Sequence, residues 1–137
     1  YFTSFKAVKP FFEDILSHAR EKGYVETIYG RRRHFKNLNV RNKGLVREEE
    51  RAACNAPLQG TAADIMKLAM IKVQKELEEK KLKSKLILQV HDEIVLDVSP
   101  DEKEDVEKLV LSCMELGQPL KVPLVVDCAW GKNWYEC

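Results

Sequence analysis

An α+β fold is predicted for this chain of 137 residues: a small antiparallel sheet, made of a hairpin over 86–98 and a strand at about 122–129, backed by helices. Three observations predict it. Two apolar, β-branched-rich runs of strand length flank the polar centre His91-Asp-Glu93. Apolar residues recur at helical spacing in three other stretches. A last apolar run, Val122 to Ala129, is also of strand length and is expected to pair with the hairpin, because two strands alone are marginal.

In chain order, Phe11, Phe12, Ile15, Leu16 and Ala19 predict a helix from about Pro10 to Lys22, with Pro10 in the first turn and Gly23 as its C-terminal cap. Its aromatic start reads as core packing. Tyr24 to Tyr29, Gly30 and Arg31 to Phe35 read as a short hairpin, followed by a loop over 37–44. From Arg47 the pattern is helical again, with Glu48, Glu49 and Glu50 placed to complement the helix dipole. Pro57 and Gly60 predict two helical pieces with a junction between Ala56 and Thr61. Thr61 to Asp64 resembles a capping box opening the second piece. Ala62, Ile65, Met66, Ala69, Met70, Val73 and Leu77 then line one face. After the 86–98 hairpin, Ser99-Pro-Asp-Glu102 reads as a capping box with Pro at the first helical position. Val106, Leu109, Val110, Cys113 and Met114 form an apolar stripe, and Gly117 and Pro119 end that helix. The aromatic tail, Trp130 to Trp134, is expected to pack back on the body.

Composition sets limits. Hydrophobic content of 45% with 33% charged residues is ordinary for a globular chain, and the length fits one domain. No apolar run approaches the roughly 20 residues of a membrane span and no signal peptide is visible, so neither membrane insertion nor secretion is expected. The four cysteines lack CxxC spacing, which suits a reduced, cytoplasmic chain. The net charge of +1 hides an asymmetry: seven basic residues and no acid lie from Arg31 to Arg47, and eight acids with one Lys from Asp92 to Glu107. One face can attract polyanions while another gathers cations.

The hairpin tip is the candidate site. Two-residue hairpin turns favour Gly with Asn or Asp, because they need positive φ. Here the centre is His91, Asp92 and Glu93, of which only Asp92 is an ordinary turn residue. Its carboxylate oxygens suit Mg²⁺; a merely polar turn is the alternative. Arg31, Arg32, Arg33, Lys36, Arg41, Lys43 and Arg47 can contact phosphates or form a solvated charged face. Arg51, Asn55 and Gln59 recur every four residues and share a face if the helix continues through them. Amide side chains suit the minor-groove acceptors that every base pair offers; junction hydrogen bonds explain the spacing equally well.

Taken in series, Gly23-Tyr-Val-Glu-Thr27 with Gly30-Arg-Arg-Arg33, Glu50-Arg-Ala-Ala-Cys-Asn-Ala-Pro-Leu-Gln-Gly-Thr-Ala-Ala-Asp-Ile65, Gln89-Val-His-Asp-Glu-Ile-Val95, Val122-Pro-Leu124 and Gly131-Lys-Asn-Trp134 resemble the C-terminal part of the polymerase domain of family A DNA polymerases, the bacterial DNA polymerase I type. The resemblance implies one partial polymerase domain: the base of the fingers over about 1–23 and the C-terminal palm over about 24–137. It implies that Asp92 is a catalytic carboxylate binding two Mg²⁺ ions, that Glu93 is an acid of lesser role, and that His91 lies near the primer end. Arg51, Asn55 and Gln59 would touch the primer–template minor groove. Primer–template DNA and dNTP would be partners of the parent enzyme, together with its upstream palm, fingers and thumb segments.

The chain departs from the family in lacking the upstream palm motif with the first catalytic Asp and the fingers helix that binds the incoming nucleotide; only Asp14 is available before Asn55. Lys6 and Cys54 are smaller departures. The chain, which begins at Tyr1, is therefore expected to be a piece of a longer polymerase and inactive alone. A non-catalytic DNA-binding module derived from a palm, a metal-dependent nuclease and a purely structural domain are the competing readings.

Overall fold

A computed structural model describes residues 5–115 and 120–137. In chain order it holds helix α1 (Val8–Lys22), strands β1 (Tyr24–Glu26) and β2 (Arg32–His34), helix α2 (Lys43–Glu79), strands β3 (Lys85–Val90) and β4 (Glu93–Asp97), a 3-10 turn at Pro100–Glu102, helix α3 (Lys103–Met114) and a 3-10 turn at Trp134–Glu136. The mixed α+β class is as expected. The chain divides into two compact units, Tyr1–Asp64 and Ile65–Cys137.

In the first unit, α1 ends where Gly23 enters the left-handed region at φ 77° and returns its N–H to Ala19. This is the glycine cap the sequence predicts. The β1–β2 hairpin pairs Tyr24 with His34 and Glu26 with Arg32. Ala19, Val25, Phe35, Leu38, Ala53 and Ala56 form the core. The aromatic start of α1 does not join it: Phe11 is 44% exposed and its ring meets that of Phe12.

Helix α2 differs most from expectation. It begins at Lys43, where the Asn42 side chain accepts from the N–H groups of Gly44 and Leu45. The three glutamates therefore lie beyond the first turn. Glu49 accepts from the backbone and side chain of Asn37 at 2.7 and 2.8 Å, and Glu50 pairs with Arg20. The helix also runs unbroken through Pro57. A proline removes one helical N–H and crowds the preceding turn, at a cost of about 3 kcal/mol. Here burial of Ala53 and Ala56, with contacts from the β1–β2 turn to Gly60 and Thr61 one turn further on, offsets that cost. The expected junction and second capping box are absent: Thr61 instead accepts from the N–H of Ile28 at 3.2 Å, and Asp64 pairs with Arg31 at 2.6 Å.

In the second unit, Val73 and Leu77 of α2 pack with Val106, Leu109, Val110 and Cys113 of α3, and Leu86, Ile94, Leu96 and Val98 of the hairpin lie against them. Helix α2 ends in a Schellman arrangement, Leu82 N–H to Leu77 carbonyl and Lys81 N–H to Glu78 carbonyl, with Lys81 at φ 54° where glycine is usual. Strands β3 and β4 are antiparallel, with a register shift between Leu86 and Leu88. The strand expected at about 122–129 is not one; among the described residues that segment makes no ladder, and the β3–β4 sheet is two-stranded. Val122 and Val125 are 67% and 75% exposed, so apolar character there does not reflect burial within this chain. The helix stop expected at Gly117 and Pro119 falls outside the described residues.

The capping box at Ser99 is also replaced. The Ser99 hydroxyl bonds the Asp101 carboxylate, and Glu102 turns away into a buried network. Its carboxylate accepts from Lys83 N–H at 2.9 and 3.0 Å, from Ser84 N–H at 2.9 Å and from the Ser84 hydroxyl at 2.6 Å. The Ser84 oxygen in turn accepts from Ser99 N–H at 3.0 Å. Glu102 and the Ser84 hydroxyl together thus tie both ends of the β3–β4 hairpin.

The backbone donor at Lys83 and the Ser84 hydroxyl hold the Glu102 carboxyl below its ordinary 4.5. The Ser99 hydroxyl and Lys83 pull Asp101 from 3.8 to about 2. Groups whose folded-state value is depressed stabilise the fold above their unfolded values and lose that stabilisation as pH falls. Thermal melts of the chain should therefore show a stable plateau above pH 4.5 and a falling Tm between about pH 4.5 and 2. Glu102→Gln should lower the plateau by several degrees and flatten the decline. An unchanged acid profile in that variant would show that the network does not couple to folding.

Candidate active site

The β3–β4 register fixes the tip. Val90 pairs with Glu93, so the turn is only His91 and Asp92, not the three residues expected from sequence. His91 has φ 53°, and among the described residues Lys81 is the one other non-glycine with positive φ. Positive φ at the first central position is where a two-residue hairpin turn of the II′ type carries glycine. The Gln89 amide supports this peptide, donating to the His91 carbonyl at 2.6 Å. His91, Asp92 and Glu93 are all exposed. The Asp92 carboxylate has no hydrogen-bond or ion-pair partner among the described residues. The Glu93 carboxylate accepts from the indole N–H of Trp134 at 3.1 Å.

Asp92 offers the hard oxygens that Mg²⁺ takes, unencumbered by any cation among the described residues. Glu93 adds a second carboxylate at the next position, already held on one side. Among the described residues there is no group of three or more His, Cys, Asp or Glu able to hold a metal ion. The tip therefore fits one arm of a Mg²⁺ site and not a whole one.

Because α2 is continuous, Arg51, Asn55 and Gln59 lie one turn apart on one face, and all three are exposed. Ala53 and Ala56, between them in sequence, are buried. The three arginines are more engaged than their sequence suggests. Arg31 is a brace: its guanidinium bonds Asp64 at 2.6 Å and the Gly60 carbonyl at 3.0 Å. Arg32 pairs with Glu26 at 2.6 Å and lies 4.4 Å from the Tyr24 ring centroid. Arg33 lies over Phe35 at 5.4 Å. Each remains exposed on one side. Gly60 permits this arrangement, since a Cβ there would lie 2.6 Å from Thr27 Cγ2 and 3.2 Å from an Arg31 nitrogen. A cavity of about 80 Å³ lies beside it, lined by residues including Thr27, Arg33, Gln59 and Gly60, too small for a nucleotide.

Sequence reasoning missed three residues here. Glu102 was legible only as a cap. Gly60 was legible only as a breaker. The bond between Trp134 and Glu93 joins residues 41 apart; its one signal is that a Trp N–H in a packed tail usually finds an acceptor. The four cysteines are unpaired, and burial pushes the Cys54 and Cys113 thiols above their ordinary 9.0, as suits structural thiols. No helix among the described residues is long and apolar enough to cross a membrane.

Comparison with known proteins shows the family. The family model for DNA polymerase family A matches residues 1–136. DNA polymerase I of Lactococcus lactis subsp. cremoris is 50% identical over 136 residues, which are 99% of this chain and 16% of that protein. DNA polymerase I of Bacillus subtilis is 47% identical over the same length, again covering 99% of this chain and 16% of the relative. Among solved structures, the polymerase domain of Pol1 from M. smegmatis, in complex with DNA primer-template and dNTP, is 42% identical with a TM-score of 0.95; the match covers 98% of this chain and 24% of that one. The chain thus spans about one sixth of the curated relatives it matches.

Proposed function

The chain belongs to DNA polymerase family A, and from that premise we propose that it is the C-terminal part of the polymerase domain of a DNA-directed DNA polymerase working in DNA replication and repair in the bacterial cytoplasm. Residues at about 1–23 form the base of the fingers and about 24–137 the C-terminal palm. The observation that carries the reading is the exposed Asp92, without a partner among the described residues, at the tip of a hairpin that lies within the family match over residues 1–136.

Asp92 and, less directly, Glu93 face the reacting phosphates. Asp92 is one of the carboxylates that hold a pair of Mg²⁺ ions, the others lying outside this chain. When bound, such ions would supply activation of the attacking hydroxyl and charge stabilisation at the leaving pyrophosphate. The chain's own contributions are binding and position. Arg51, Asn55 and Gln59 lie along the minor groove of the primer–template, where acceptors recur at equivalent places in every correct pair, so geometry is tested without reading sequence. His91 sits near the primer end. Arg32 and Arg33 offer their exposed sides to phosphates, while Arg31 serves the same surface by holding the β1–β2 turn on α2.

The parent enzyme is expected to extend a primed template with dNTPs and Mg²⁺, and to stop when the metal is chelated; DNA binding without extension would favour a binding module instead. The purified 137-residue chain should give no templated incorporation, because it holds one essential carboxylate and no nucleotide site. Incorporation above background by that chain alone would overturn the second expectation.

A further inference from the structure

The tail is built to deliver one side chain. Asn133 accepts from Tyr135 N–H at 3.1 Å and donates to Glu136 at 2.8 Å. Glu136 also accepts from Lys132 N–H at 3.0 Å. Gly131 is packed so closely that a Cβ would lie 2.7 Å from Glu136 Cβ and 2.9 Å from the Asn133 carbonyl. Lys103 Nζ, at the start of α3, lies 4.6 Å from the Trp130 ring centroid. From this cross-braced turn the Trp134 indole N–H reaches Glu93 Oε1 at 3.1 Å.

We propose that Trp134 is a positioning residue for the hairpin tip: its indole N–H holds the Glu93 carboxylate in one orientation beside Asp92, making the tail a working part of the site. The proposal rests on the polymerase reading above. The choice of indole matters chemically. It is a donor only and carries no charge, so it restrains Glu93 without neutralising it, whereas a Lys or Arg in its place would cancel the negative charge that draws cations. One oxygen is held and the other is left for a second partner.

Two measurements test this. In the metal-free chain, NMR should show the Trp134 indole N–H signal shifting and exchanging faster with solvent in Glu93→Ala, while the Trp130 signal stays. An unchanged Trp134 signal would overturn the contact. This arm leaves the tail's own sequence intact, so it stands even where a tail variant folds poorly. In the parent polymerase, Trp134→Phe should lower kcat about tenfold, the scale of one hydrogen bond to a charged group, with primer–template affinity unchanged. The same substitution should cost nothing further in a Glu93→Ala background. Equal losses in both backgrounds would mean that Trp134 acts through general tail structure and would overturn the proposal. Full activity in Asp92→Ala would instead sink the polymerase reading, while the NMR arm would still report on the contact.

Discussion

Asp92→Ala in the full-length enzyme is expected to lower the rate of primer extension about a thousandfold or more, with primer–template affinity and thermal stability unchanged. The stability half follows from position. Asp92 is exposed at the tip of β3–β4, and no described side chain depends on it. Surface substitutions of that kind usually move stability by under about 0.5 kcal/mol. The rate half follows from chemistry. Metal ions that polarise a phosphoryl group contribute several kcal/mol to transition-state stabilisation. About 4 kcal/mol corresponds to a thousandfold in rate. Single-turnover nucleotide incorporation, rather than steady-state extension, is the measurement, because product release masks chemical steps in steady state. Asp92→Asn keeps the size of the side chain and should lose nearly as much. A parental rate in either variant would remove Asp92 from the reaction.

Gly60→Val should lower the stability of the chain by about 3 kcal/mol, the upper part of the range for overpacking, with Gly60→Ala intermediate. Replacing glycine inside a helix ordinarily gains up to about 1 kcal/mol. Here the sign reverses because a Cβ would lie 2.6 Å from Thr27 Cγ2. Thr27 cannot swing aside. It is buried, its Oγ1 accepts from the N–H groups of Tyr29 and Arg31 at 3.3 and 3.2 Å, and its backbone N–H bonds the Arg31 carbonyl. Urea denaturation measures the loss; an alanine variant more stable than the parent would show that the turn yields easily. Because Arg31 also bonds the Gly60 carbonyl, the variants should loosen the β1–β2 turn from α2 beside Gln59.

What was legible in the sequence was local. Gly23 announces a left-handed cap because few residues adopt that backbone cheaply. Ala69, Val73 and Leu77 announce a helix face because burial follows the 3.6-residue period, and all three are buried. The His91–Asp92 tip announces itself by breaking a turn preference. What was not legible was set by distant partners. Pro57 and Gly60 look like breakers, and α2 runs through them because Thr27, Arg31 and the Ala53–Ala56 core meet it there. Val122 to Ala129 looks like a strand, yet a strand needs a neighbour to supply its hydrogen bonds, and sequence periodicity does not name one. Glu102 reads as a capping acid, and only the fold brings Lys83 and Ser84 within its reach, with Ser99 joined through the Ser84 hydroxyl.

The left-handed His91 also bears on how this chain responds to selection. A histidine at φ 53° sits in a backbone region that glycine or asparagine occupies more cheaply. A library sorted only for expression or heat tolerance would be drawn to those residues at position 91. One sorted for DNA synthesis would be drawn back to histidine. Divergence between two such sorts at a single turn residue would support a catalytic centre at this tip with no ligand, no metal and no knowledge of the reaction, because it would reveal a conflict between folding well and working.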